Sequence, residues 1–388
     1  MKQVSVILLN YNGQKYLQKF LPTVVQFTPE YLADIVVADN ASTDKSVTWV
    51  KENFPQVKIM QFDKNFGFAD GYNIAVGRVK TPYVVMLNTD VEVTKGWLLP
   101  MLRYLEEHSK VVALQPKILQ YKKKSHFEYA GACGGFMDIF GYPFCRGRIF
   151  DTLEKDKGQY DDARKVFWAS GACLMIRRVD FIDYGGFDEN FFAHQEEIDL
   201  CWRINARGRE VAVVPQSVVY HVGGGTLSMQ DARKTYLNFR NNHLLLYKNL
   251  SVGRWALLAF MRFFLDYAAA LMFLLRGKVG DAKAIWKARV DFLRYKKLVR
   301  PLRKKNMEHT ICPRIPLVFH GSLLLSYHLF KKNKFSQLRM FSKDWAFSIA
   351  ASDSEVPLNI LAMAVMRSSP CSSFTSVLVS SDSFLWTK

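Results

Sequence analysis

Residues 4–27 read VSVILLNYNGQKYLQKFLPTVVQF. The first six residues are an almost unbroken apolar run, the length of a strand buried on both faces. NYNG then interrupts it with turn-forming side chains. Tyr16, Leu17, Phe20, Leu21, Val24 and Val25 follow at three-and-four spacing, which predicts a helix with one apolar face. The same succession recurs. DIVVAD (34–39) is a second strand, and NASTDKSVTWVKENF begins as a loop and becomes a helix, with Ser42 or Thr43 as its N-cap. KIMQF (58–62) is a third strand, GYNIAVGRVK (71–80) a short helix and YVVML (83–87) a fourth strand. Strands alternating with helices predict an α/β fold with a mostly parallel central sheet flanked by helices.

Ligands of such sheets sit beyond the carboxyl ends of the strands. The polar clusters NYNG, DNASTD, NFGFADGYN and NTDVEV all fall there. Any one of them reads as a turn; four on one edge of one sheet point to a site. No GxGxxG follows the first strand, which disfavours a dinucleotide and suits a looser nucleotide contact through Asn10 and Tyr11.

Past residue 111 the pattern loosens. VVALQPKIL and VFWASGACLMIRR read as strands, EEIDLCWRINARG as a helix ended by Gly208, and EVAVVP and SVVYHV as two further strands. Residues 120–165 are polar and read as a long excursion.

The chain of 388 residues is 49% hydrophobic and carries a net charge of +18. That charge is uneven: residues 1–250 hold 31 Lys and Arg against 27 Asp and Glu, whereas residues 251–388 hold 22 against 8. Residues 255–275, WALLAFMRFFLDYAAALMFLL, are apolar except for Arg262 and Asp266 and are long enough to span a bilayer. Those two charges are four apart and can pair on one face, which suits a helix lying in the membrane interface. Twelve Lys or Arg against two Asp follow in residues 276–305. A basic block beside an apolar helix points to an anionic membrane surface and not to nucleic acid. The six cysteines show no metal-ligand spacing and read as buried, reduced thiols. The N-terminal apolar run is too short for a signal peptide, so a cytoplasmic protein, peripheral on the inner face of the cell membrane, is expected.

Three stretches carry chemistry. Asp39, at the end of the second strand, can accept hydrogen bonds from a ribose or a base, although Asn40 and Ser42 equally suit an Asx-turn. In NTDVEV, Asp90 can give a carboxylate oxygen to Mg or Mn, Asn88 can bind a sugar hydroxyl, and Glu92 would lie on the face of Asp90 in an extended chain. In GGFDENFFAHQEEIDLCWR, Glu196 and Glu197 fall in the first turn of a helix, where one could take the proton of an attacking hydroxyl or both could simply cap it. Asp199 and Arg203 form an i, i+4 pair. His221 stands between a strand and a glycine run in VVYHVGGG.

Taken in order, VSVILLNYNG, VVADNASTD, NFGFADGYNIA, VMLNTDVEV, SGACLMIRR, GGFDENFFAHQEEIDLCWR and VVYHVGGGT resemble the inverting family 2 glycosyltransferases of the GT-A fold, particularly their bacterial rhamnosyltransferase-like branch. The resemblance covers about residues 3–248. It implies a glycosyltransferase domain over 1–250; the charge and hydropathy pattern adds a basic, apolar helical region at 251–343, expected to be membrane-associated, and a low-charge tail at 344–388. The resemblance also implies that Asp39 contacts the donor's base or ribose with Tyr11 and Asn40 nearby, that Asn65 and Asn73 sit near the diphosphate-sugar, and that Asp90 binds the metal with His221 as a second contact. Glu197, where the family usually has Asp, would be the catalytic base, with Glu196 as the alternative. The implied reaction is a single displacement in which an acceptor hydroxyl, on a glycan or a lipid-linked saccharide, attacks a nucleotide-diphosphate sugar with inversion. A sugar-1-phosphate nucleotidyltransferase would need a basic glycine-rich loop after the first strand, which NYNGQKY does not offer. A non-catalytic sugar-nucleotide-binding protein would keep the fold without a working base.

Overall fold

Strand β1 (Val4–Asn10) is the centre from which the fold grows: Val4, Val6, Ile7 and Leu8 are at most 1% exposed. Helix α1 (Gln14–Phe27) returns over it and buries Leu17, Leu21 and Val24 in the same cluster. Each such side chain contributes roughly 1.5–3 kcal/mol. β2 (Ala33–Asp39), α2 (Ser46–Asn53), β3 (Lys58–Gln61), α3 (Gly67–Arg78) and β4 (Tyr83–Leu87) complete a parallel set in which β1 lies between β2 and β4, and β3 lies outside β2. In this computed structural model residues 2–223, 232–338 and 340 are described; the tail at 344–388 and Gly224 and Gly225 of the glycine run lie outside them.

The second half departs from the expected parallel sheet. β5 (Val91–Val93), α4 (Leu98–Glu107) and β6 (Val111–Gln120) come next. The excursion then folds as β7 (Gly135–Asp138), β8 (Pro143–Cys145), β9 (Arg148–Ile149) and β10 (Thr152–Leu153). The stretch read as one strand is two, β11 (Arg164–Val166) and β12 (Cys173–Arg177), separated by a loop at 167–172. After α5 (Arg178–Asp183) and α6 (Glu196–Ala206), the two strands expected at the end are one, β13 (Glu210–His221), bulged between Val214 and Val218 where Pro215 cannot donate to the ladder. Among the described residues the main sheet has nine strands in the order β11-β13-β6-β12-β4-β1-β2-β3, with β5 on β13. β12 runs antiparallel to both β4 and β6, and β11 and β5 run antiparallel to β13. The sheet is therefore parallel only in its first half and mixed in its second. No crossover helix precedes β12, so nothing forces it to run with its neighbours.

That reversal positions the site. Cys173 pairs with Leu87, so the 167–172 loop arrives at the edge where β4 ends, and Asn88 N–H donates to Ala172 O at 3.0 Å. β13 finishes at the same edge, with His221 opposite Val91.

α7 (Ala232–Asn249), α8 (Val252–Leu275), α9 (Val279–Glu308) and β14 (Val318–Phe319) follow, β14 joining β7 in the smaller sheet. α8 is the one helix among the described residues long and apolar enough to cross a membrane by length and composition. The Arg262–Asp266 pair forms at 2.9 Å, but it is buried in protein: Arg262 also donates to Phe140 O and Asn242 Oδ1, and Asp266 meets His243. The opposite side, with Leu257, Phe260, Phe264, Leu271 and Leu275, is exposed.

Candidate functional site

The strand-end turns are held by their own side chains. Asn10 Nδ2 donates to Asp39 Oδ1, Ser42 Oγ and Ser46 Oγ at 2.9–3.0 Å, and Asp39 Oδ2 accepts from Ser42 N–H at 3.0 Å. Gly13 is required here, because a Cβ would stand 2.4 Å from Asn10 Oδ1. Asn40 bridges to the next turn: its amide donates to Asn65 Oδ1 and Gly67 O, and its Oδ1 accepts from Phe66 N–H, all at 2.9 Å. Asn73 has both ends of its carboxamide on the backbone of Phe187, at 2.8 Å each. These asparagines shape the edge. Tyr11, 51% exposed, and Asn65, also exposed, are the members of the set open to a ligand.

At the end of β4, Asp90 is buried and its Oδ1 lies 3.1 Å from His221 Nε2. His221 Nδ1 stands 3.4 Å from Glu128 Oε1, an ion-pair distance without a well-formed hydrogen bond. Burial alone would depress the imidazole, but Glu128 and Asp90 on either side push it up to about 10. Glu92, expected beside Asp90, pairs instead with Lys124 at 2.5 Å. Among the described residues no group of three or more His, Cys, Asp or Glu could hold a metal ion. Asp90 and His221 nevertheless converge one carboxylate oxygen and one imidazole nitrogen. That donor set fits a divalent ion whose remaining ligands are phosphate oxygens and water, once His221 has lost its proton.

Glu196 and Glu197 open α6, and each has one buried carboxylate oxygen without a hydrogen-bond partner. Burial pushes both well above the ordinary carboxylate range, Glu197 to about 7, and the neighbouring charge of Glu197 adds to the rise at Glu196. Gly171 lies against Glu197 and Phe68: a Cβ there would be 3.8 Å from Glu197 Cβ and 3.5 Å from Phe68 Cζ. Asp199 forms the expected pair with Arg203 at 3.0 Å and also binds Lys248 and Asn249 at 2.9 and 2.8 Å, a buried structural network.

The chain entering α6 is strained. Phe192, His194 and Gln195 have φ of 63°, 71° and 72°, positions that non-glycine residues take at a cost. α7 holds them there. Asn241 Nδ2 donates to Phe191 O, Ala193 O and His194 O at 2.7–3.0 Å, and Arg240 Nη2 donates to Asn190 O and Phe191 O. Sequence reasoning missed this clamp and Glu128. The available signals were a run of four polar residues, RNNH, directly before the apolar LLLY of the same helix, and a lone acid in HFEYAG.

The profile of the family described as "Glycosyl transferase family 2" matches residues 5–185. The N-acetylglucosaminyl-diphospho-decaprenol L-rhamnosyltransferase of Mycobacterium tuberculosis is 26% identical over 234 residues, covering 56% of this chain and 75% of that protein. Rhamnosyltransferase WbbL of Escherichia coli is 27% identical over 228 residues, covering 56% and 83%. Among solved structures, S. aureus TarS 1-349 in complex with UDP-GlcNAc superposes with a TM-score of 0.51 at 16% identity, covering 79% of this chain and 89% of that one, a likeness of fold alone.

Proposed function

We propose, from the premise that this chain belongs to glycosyl transferase family 2 and has the GT-A fold, that it transfers a deoxyhexose or hexose with inversion from a nucleotide-diphosphate sugar to a hydroxyl of a lipid-linked saccharide. The observation that carries this reading is the Glu197 carboxylate, with one buried oxygen unpartnered, beside Gly171 of the 167–172 loop. A base in that position takes the acceptor's proton as the new bond forms. Its raised pKa suits the task, because a carboxylate of ordinary pKa is a weaker base. Glu is one methylene longer than the Asp usual in the family, and its charge in turn raises the neighbouring Glu196.

The donor's base and ribose would lie against Tyr11 and Asp39, with Asn10 and Asn40 fixing the turns, and the diphosphate-sugar near Asn65, Asn88 and the turn clamped by Asn73. Asp90 and His221 would hold a Mg or Mn ion, which supplies neutralisation of charge on the leaving diphosphate when bound. Glu128 orients His221 from its other side. The rhamnosyltransferase relatives favour a role in cell-surface polysaccharide synthesis. The exposed face of α8 and the basic α9 suit attachment at the inner face of a membrane. Screening nucleotide sugars against a diphosphate-lipid saccharide, with wild type and Glu197→Gln, tests the reading. Turnover unchanged in both Glu197→Gln and Glu196→Gln removes the base assignment, and a chain that binds donor without turnover is a non-catalytic binder.

A further inference from the structure

Where the end of α7 meets the start of α8 and the second half of α9, a groove of about 720 Å³ is lined by Tyr247, Trp255, Lys296, Arg300, Arg303 and Lys304, among others. Among the described residues its lining contains five cations and no acid. Lys304 meets Glu308 only at 3.9 Å, on the exposed side. Within the groove Arg303 is 7% exposed, and both its Nη1 and Nη2 are buried without a hydrogen-bond partner. Its guanidinium stacks over Tyr247 at 4.5 Å, and Lys296 stands over Tyr247 and Trp255 at 5.2 and 4.3 Å. Cation–π contact offsets part of the cost of burying a charge, but it leaves the guanidinium's planar donors unused. Two such donors on one side chain match the oxygens of a phosphate.

We propose that this groove is a headgroup site for one anionic phospholipid of the bilayer, Arg303 taking the phosphate in a bidentate grip and Lys296 and Lys304 adding charge. Val252 and Leu257, 70% and 65% exposed at the start of α8, continue from the groove into the helix's apolar face, so a lipid seated by its phosphate has a surface for its acyl chains. The phosphate chemistry could equally be met by a free anion. The contiguous apolar face is what selects the lipid. The proposal rests on the interfacial reading of α8 and adds a specific seat to what would otherwise be general adsorption.

The test uses the full chain with vesicles of phosphatidylcholine alone and of phosphatidylcholine with phosphatidylglycerol. Wild type should prefer the anionic vesicles, and Arg303→Met should lose about tenfold of that preference, the loss of one charge-assisted pair. Its melting temperature without lipid should stay level or rise, since a buried unpaired charge has been removed. A second variant, Lys296→Ser with Arg300→Ser, carries the same test should Arg303→Met not fold. Phe264→Ser should weaken binding to both vesicles alike. Equal binding to both vesicle types with no effect of Arg303→Met overturns the headgroup site and leaves the interfacial reading standing. Binding to neither overturns both. Inorganic phosphate that displaces the protein from anionic vesicles at concentrations too low to screen charge would make this a free-anion site and also overturn the proposal.

Discussion

The turns around Asn10, Asp39 and Asn40 and the acid pair at the start of α6 are both polar, buried and at one end of the sheet, yet they are built in opposite ways. In the turns, the carboxamides of Asn10 and Asn40 and the carboxylate of Asp39 are tied to neighbours within the cluster, with Asn10 Oδ1 the one buried oxygen of these three side chains left unpartnered. At α6 the carboxylates are left with unpartnered oxygens, and the chain leading to them is forced into positive φ by clamps from another helix. A satisfied cluster fixes shape, whereas an unsatisfied one stores a need that only a substrate or a proton fills.

The sharpest way to break this comparison is Glu197→Gln. Removing the base should lower kcat about a hundredfold to ten-thousandfold, with donor affinity unchanged by titration calorimetry. Because the ionised form is the base and burial raises its pKa toward 7, kcat/KM should fall as pH drops below neutrality, far above the pH at which an ordinary glutamate protonates. A profile flat down to pH 5 would place the proton elsewhere.

Next in size is the clamp. Asn241→Ala leaves the carbonyls of Ala193 and His194 without their side-chain donor, Phe191 O keeping Arg240, and should cost about 1–3 kcal/mol by denaturant unfolding. It should lower kcat more than it raises donor KM, because the loop it frees carries the acids. Asn10→Ala, in the satisfied cluster, should show the reverse balance: a stability loss of about 1–2 kcal/mol, with donor KM rising and kcat little changed. Equal kinetic signatures in the two variants would erase the distinction between the regions.

Smaller still is the metal. Two protein ligands predict weak Mn binding to the free protein and much tighter binding once a nucleoside diphosphate is present. Glu92→Gln should leave that affinity unaltered. Lys124→Ala, which breaks the exposed partner of Glu92, should change stability by no more than about 0.5 kcal/mol.

The first region was legible in the sequence because it is local: strands end in polar turns, and a parallel set brings those ends together. The strand-end positions of Asp39, Asn40 and Asp90 follow from that pattern. The second region depends on long-range pairing. Glu128 reaches His221 only because β13 lies on β6 and the excursion folds over them, and Asn241 reaches His194 only through the docking of α7. The reversed β12 was hidden for the same reason: an apolar strand reads alike in either direction. Asn73 shows the limit of reading a residue by its company, since its amide is used up by Phe187, 114 positions away.

Arg262 carries a consequence for anyone who wants this protein in solution. Its side chain is fully buried, tying the apolar helix to Asn242 and to the carbonyl of Phe140, and Asn242 in turn donates to Gln195 Oε1, next to the acids. Cutting the chain near residue 250 would therefore leave part of the scaffold under the loop that enters α6 with empty hydrogen bonds, and a shortened domain should be poorly folded as well as poorly active. Repainting the outward side of the helix with polar residues at Phe260, Phe264, Leu271 and Leu275 keeps every inward contact. The helix is a graft that cannot be pruned, only resurfaced.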